Sequence, residues 1–238
     1  RGLGDVYKRQ VLAQYNPAGE LMDEPGINRV TVEEVTEGTP PDKYHRFLSQ
    51  NNAIWPHEKY LNIWLMSETK YPKFWNSITK LCVPKYRLGS ETLPGLSLPP
   101  VPSTWVPKVE QIGILFRMST FQYFQRSIDA TAERELVTCI GNYLGLLDTW
   151  KINNSNVNDQ CNDTFAYGIV NNNGSLGTNS SWSKEVGSYR FLSENIMDDP
   201  TGTHRSVSKD QALRMYWVLK NCAGRSMWQS DFALTGKE

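Results

Sequence analysis

Three features of the chain predict an α+β fold built on one mixed sheet. In WPHEKYLNIWLMS, Tyr60, Asn62, Trp64 and Met66 alternate with Leu61, Ile63 and Leu65, the pattern of a central strand with apolar residues on both faces. EQIGILFRM (Glu110–Met118) reads as a second strand. Ala132, Leu136, Ile140, Tyr143, Leu144 and Leu147 fall at steps of three and four, which predicts one long helix over Ser127–Trp150. Strands and helices are mixed rather than strictly alternating, as in α+β domains.

The remaining elements follow in chain order. NPAGELMDEPG (Asn16–Gly26) is turn-rich and leads into INRVTVEEV, whose alternation and β-branching predict a strand. Pro40, Pro41 and Asp42 open a short helix, DKYHRFLSQNN. Tyr71–Lys108 holds seven of the thirteen prolines and reads as an ordered loop rather than regular structure. After Trp150, INNSNVNDQCNDT and NNNGSLGTNSSWS are rich in Asn, Ser and Gly and read as loops. Their N-x-S/T triplets at Asn153, Asn162, Asn173 and Asn179 are expected by chance in such a composition. A last helix starts near Ser208, where Gln211 three residues later completes a capping box, and runs through LRMYWVLKN.

Composition excludes several classes. With 238 residues the chain can bury a sizeable core, and 39% hydrophobic against 21% charged residues is a globular balance. Twenty-five basic and 25 acidic residues cancel, with no basic stripe, so no nucleic-acid partner is expected. No apolar run approaches the ~20 residues of a membrane span. Eight Trp and eleven Tyr suit core packing first, and a carbohydrate- or peptide-facing surface second. Cys82, Cys139, Cys161 and Cys222 include no CxxC pair, which disfavours a ribbon-type zinc site and leaves disulfide pairing or free thiols open. The opening GLGDVYKRQ resembles the translated adaptor tails at the ends of some metagenomic reading frames, so residues 1–15 are expected to be a non-native or disordered leader. Residues 16–150 are expected to form an N-terminal subdomain and 151–238 a C-terminal one.

Inside the long helix, VTCIGNYLGLLDTW has the rhythm of a metal-presenting helix. Zincins use HExxH because residues i and i+4 share one helix face, with the Glu activating a zinc-bound water. Metzincins extend this to HExxHxxGxxH, where the Gly ends the helix so that a third ligand can return to the ion. The chain resembles one such family, the pappalysin-like (cytophagalysin) metzincins, notably the zinc-dependent metalloproteinase lipoproteins of Bacteroidetes. Their helices read HExGHYLGLxHTW, and this sequence keeps Gly141, Tyr143, Leu144, Gly145, Leu146, Thr149 and Trp150 without a gap. EPGINRV and KYLNIWLM resemble family strands, and DQCNDTFAY resembles a DYCxDTxxY segment. SENIMDD resembles the SxNIMDY Met-turn, and SKDQALRMYWVL the closing TPDQxxRMxxVL helix. The likeness spans about residues 16–222 in the family's order. It implies a zincin-type mixed twisted sheet, an active-site-type helix, a Met-turn carried by Met197 and a C-terminal helix.

The departures lie at the chemistry. The resemblance puts Thr138, Asn142 and Asp148 at the ligand positions and Cys139 at the general-base position. Only Gly145 and Met197 survive from the catalytic constellation. Neutral Thr and Asn are poor zinc ligands, and Cys139 removes the base. His45, His57 and His204 stand at no ligand spacing with one another, and His204 reads as a surface loop residue. Cys139 reads as a buried thiol or half of a disulfide with Cys161 or Cys222, because no His lies near it in sequence. Asp159 and Asp163 lie where relatives bind structural calcium, but their spacing does not match an EF-hand and a solvated loop is the better reading. Glu110–Met118 is either the edge strand that pairs substrate backbone, with Gly113, Ile114 and Leu115 lining the cleft, or an internal strand.

The expectation is therefore an inactive metzincin-like homologue with no zinc and no catalytic residue. By resemblance it is exported and sits at the cell surface or in the periplasm as a lipoprotein, with a retained cleft for a peptide, protein or glycan. The rival readings are a zinc endopeptidase with substituted ligands and a structural module of a surface lipoprotein.

Overall fold

The computed structural model describes residues 12–30, 48–66, 80–83, 113–117, 131–152, 159–169, 171–172, 175–176, 183–199 and 201–221. The strands predicted in WPHEKYLNIWLMS and EQIGILFRM are present, and they pair. β1 (Ile63–Met66) runs parallel to β3 (Gly113–Arg117), with Ile63 opposite Ile114. β2 (Lys80–Val83) pairs antiparallel on the other side of β3, with Cys82 opposite Ile114. The sheet order β1-β3-β2 makes it mixed.

Two side chains fix the approach to this sheet. Asn62 uses its amide to bind Trp55 N at 3.0 Å and Trp55 O at 2.8 Å, and the Trp64 indole donates to Ala53 O at 2.9 Å. A Cβ on Gly113 would lie 2.5 Å from the Trp64 ring and 2.9 Å from Asn62 O, so only Gly lets β3 start against β1.

β3 is internal. Gly113, Ile114 and Leu115 therefore do not line an open edge: their backbone is paired to β1 and β2, and Ile114 is fully buried. The strand β2 is a second correction, because it lies inside the proline-rich stretch read as loop.

α1 (Thr131–Tyr143) packs on β2 and β3. Its buried Cys139 and Tyr143 meet Ile114, flanked by Leu61, Leu136, Ile140 and Leu144. The helix is shorter than the periodicity predicts. Leu146 N bonds Gly141 O at 2.9 Å and Gly145 N bonds Asn142 O at 3.0 Å, with Gly145 at φ +87°, the Schellman closure that a left-handed Gly permits. Leu147 keeps the helical spacing but sits beyond this stop.

The chain then threads short strands through the region read as loops. β4 (Trp150–Ile152) runs parallel to β5 (Tyr167–Ile169). β6 (Asn171–Asn172) pairs with β7 (Ser175–Leu176), and β8 (Ser183–Val186) with β9 (Tyr189–Leu192). The β8–β9 turn is Gly187-Ser188, with Gly187 at φ +60°, the sign that a type II′ hairpin requires at its first central residue. The boundary expected at residue 150 falls at the start of β4.

α2 (Lys209–Asn221) begins at the predicted capping box. Ser208 N bonds Gln211 Oε1 at 3.0 Å and Gln211 N bonds Ser208 Oγ at 3.2 Å. Leu146, Met197 and Met215 form a second apolar cluster joining α1's exit, the turn at Met197 and α2.

At the N-terminal side, Gly26 N bonds Ala13 O at 2.6 Å and Met22 N bonds Gln14 O at 2.9 Å. These bonds tie Ala13 and Gln14, inside the stretch expected to be leader, to the turn that follows. Ile27–Val30 is not strand, and the rest of INRVTVEEV lies outside the described residues. Of the predicted short helix, residues 48–50 are helical and 51–52 form a turn, and the rest lies outside the described residues. Among the described residues, no helix is long and apolar enough to cross a membrane.

Candidate functional site

The Gly145 stop turns the chain back on its own helix. Asn142 Nδ2 donates to Asp148 Oδ1 at 3.3 Å and to Thr138 O, one turn earlier, at 3.0 Å. Thr138 Oγ1 donates to Ile196 O at 2.8 Å. A Cβ on Gly141 would lie 2.5 Å from Met197 Sδ, so the helix rests on Met197 in this arrangement because it carries Gly there. Thr138, Asn142 and Asp148 thus gather around the turn that carries Met197. Thr138 and Asn142 are both buried.

These residues do not fit zinc. The set offers one carboxylate, one hydroxyl and one amide, and the amide nitrogen is turned toward the carboxylate. Zinc sites use thiolate, imidazole and carboxylate, and three of them. Among the described residues no three His, Cys, Asp or Glu side chains cluster as a metal site. Cys139 sits at 0% exposure against Ile114 and Tyr143 and is a thiol, so a Glu in its place would bury a carboxylate among apolar groups.

One histidine does reach the site, contrary to its reading as a surface residue. His204 is 8% exposed, and its Nδ1 lies 3.3 Å from Thr138 Oγ1. Its Nε2 lies 2.9 Å from Asp199 O. No local pattern announces this contact, which joins residues 66 apart. His57 stays away from the site, 3.5 Å from Glu58, and His45 lies outside the described residues.

The turn at Met197 is held by buried charge. Met197 N bonds Asn195 Oδ1 at 2.9 Å, and Asp198 N bonds Asn195 O at 3.1 Å. Asp198 accepts from Thr149 Oγ1 at 2.6 Å, Ser193 Oγ at 2.8 Å and Asn195 N at 3.0 Å. Burial pushes its carboxyl above the usual range despite those donors. Asp199 pairs with Lys184 at 2.5 Å, both side chains at most 1% exposed, and accepts from Tyr167 Oη at 2.6 Å. Burial acts upward on Asp199 as well, but donors from Lys184, Thr201 and Tyr167 outweigh it and hold the carboxyl below its usual range. Burial also pushes the Tyr167 phenol up.

The DQCNDTFAY segment is tied into the fold through its carboxylates and backbone. Asp159 accepts from Thr164 Oγ1 at 2.6 Å and Cys161 N at 3.3 Å, and Arg214 donates to the backbone of Asp159 and Gln160. Asp163 caps α2, accepting from Ser208 Oγ at 2.6 Å and Asp210 N at 2.9 Å. The two carboxylates expected near a calcium site are thus committed to protein donors. Burial pushes the Cys161 thiol up to about 12, which makes it an inert thiol at neutral pH. Cys222 lies outside the described residues. Asn195 and Gln211 exchange amide bonds at 2.7 and 3.0 Å, tying the turn to α2. The chain matches no protein-family model, no curated protein and no solved structure.

Proposed function

We propose that this chain is a metzincin-like peptidase homologue without a working zinc site, exported and held at the cell surface or in the periplasm. One observation carries the reading. Gly145 stops α1 so that Asp148 returns to Asn142 above the turn bearing Met197, the disposition that HExxHxxGxxH and a Met-turn require, with side chains that cannot hold zinc. The hydrogen bonds of Asn142 and Thr138 supply protein partners where a zincin would supply a metal. Cys139, in the core, does not supply the general base that Glu supplies at that position of HExxH.

The retained function is recognition of a peptide, protein or glycan, with no nucleic-acid partner. Because β3 is internal, an added peptide strand would pair with β1 or β2, the outer strands of the described sheet.

Metal analysis of purified protein after zinc exchange tests the reading. No zinc retained and no caseinolysis are expected. Stoichiometric zinc that Asp148→Ala abolishes would establish a peptidase with substituted ligands instead.

A further inference from the structure

We propose that the His204 imidazole is a built-in plug that fills the space beside residue 138 and excludes any side chain longer than threonine there. What that space once held rests on the zincin reading; that His204 fills it rests on geometry alone.

The ring is seated from several sides. Its Nδ1 lies 3.3 Å from Thr138 Oγ1, and its Nε2 lies 2.9 Å from Asp199 O. The segment carrying it is zipped onto the approach to Met197: Thr203 N bonds Ser193 O at 2.8 Å, and Arg205 N and Ser206 N both bond Glu194 O at 2.7 Å. Gly202 leaves room, since a Cβ there would lie 2.5 Å from Ser193 Oγ and 3.2 Å from His204 Cδ2. His204 itself holds φ +51°, a left-handed conformation that a non-glycine residue keeps only when its surroundings impose it. The ring is 8% exposed.

A nucleophile–base pair is the competing assignment for Thr138 and His204. It fails on two counts: Thr138 is 4% exposed, and its hydroxyl proton is directed at Ile196 O, 2.8 Å away. Filling is what the arrangement achieves. A histidine at position 138 would extend past the present Oγ1 into the volume of the His204 ring, in a region already close-packed. Loss of the first ligand and entry of His204 are then coupled changes, and restoring the ligand alone would not reopen the site.

The test is a double-mutant cycle read by thermal unfolding of wild type, Thr138→His, His204→Ala and Thr138→His/His204→Ala. Thr138→His is expected to lower Tm by roughly 5 °C or more, and by less than half as much when His204 is already Ala. If Thr138→His alone does not fold, recovery of folded protein in the double variant supports the plug equally. Equal losses in both backgrounds, no loss in either, or a double variant that also fails to fold would overturn it. Zinc plays no part in these measurements. Absent coupling would remove the plug and leave the zincin reading, whereas coupling in a scaffold that cannot be made to bind zinc would do the reverse.

Discussion

The C-terminal half of α1 and the turn at Met197 lie against each other, yet polar groups of opposite character hold them. At α1 most are neutral: Thr138 Oγ1 reaches Ile196 O at 2.8 Å, and Asn142 reaches Thr138 O at 3.0 Å and Asp148 at 3.3 Å. At the turn they are charged, buried and short: Lys184 meets Asp199 at 2.5 Å, Tyr167 meets Asp199 at 2.6 Å and Thr149 meets Asp198 at 2.6 Å. The difference separates scaffold from site. Residues that anchor the turn bear on folding, because removing one leaves a charge uncompensated in the interior. Polar residues at the α1 positions break no buried ion pair when they change, so a replacement that fits the space is expected to cost less there.

That contrast can be broken by substitution, beginning where the effect is largest. Asp199→Ala leaves Lys184 buried without its counter-charge and is expected to cost about 3–5 kcal/mol in urea unfolding. A loss under ~1 kcal/mol would show that the turn is not the stronger region. Next comes Gly141→Ala, which drives a Cβ into Met197 Sδ at 2.5 Å and is expected to cost about 1–3 kcal/mol by overpacking. The smallest effect belongs to Asn142→Ala, about 0.5–1.5 kcal/mol, because it removes hydrogen bonds to Thr138 O and Asp148 but breaks no buried ion pair. Were Asn142→Ala to cost as much as Asp199→Ala, the comparison would be reversed.

Acid sharpens the same contrast. Asp199 and Asp163 have carboxyls held below their ordinary value, so the stability they contribute is present above the unfolded pKa and is lost as pH falls through the folded one. Asp198, raised by burial, works in the other direction: its contribution is present below the unfolded pKa and is lost as pH rises through the folded one. Above about pH 4 only the raised Asp198 of these three titrates, so the urea midpoint is expected to hold or rise slightly there, and to fall below about pH 4 as Asp199 and Asp163 lose their contribution. Asp163→Asn should flatten that fall, and a midpoint that keeps rising below about pH 4 would contradict the assignment.

How much of this was legible in the sequence depends on distance along the chain. Alternation in KYLNIWLM and EQIGILFRM announced β1 and β3, and the Ser208–Gln211 box announced α2, because each signal lies within a few residues. Gly145 as the helix stop was legible from the family pattern, although periodicity through Leu147 argued for a longer helix. β2 was hidden because proline density around it outweighed a four-residue strand, and the short strands after Trp150 because asparagine reads as loop. Whether β3 was edge or internal depended on a partner that the sequence did not reveal. His204 reads like a loop residue, and nothing local marks Lys184 for burial. Their burial depends on partners 15 and 66 positions away, and no local pattern encodes such pairings.

The central claim is that an inherited zinc scaffold has lost its ligands and closed over the gap. Its most direct test is the zinc stoichiometry of one variant combining Thr138→His, Asn142→His and Asp148→His with His204→Ala, leaving Cys139 in the core. A folded protein that takes up one zinc per chain is the result expected. A folded protein that takes up none would contradict the claim.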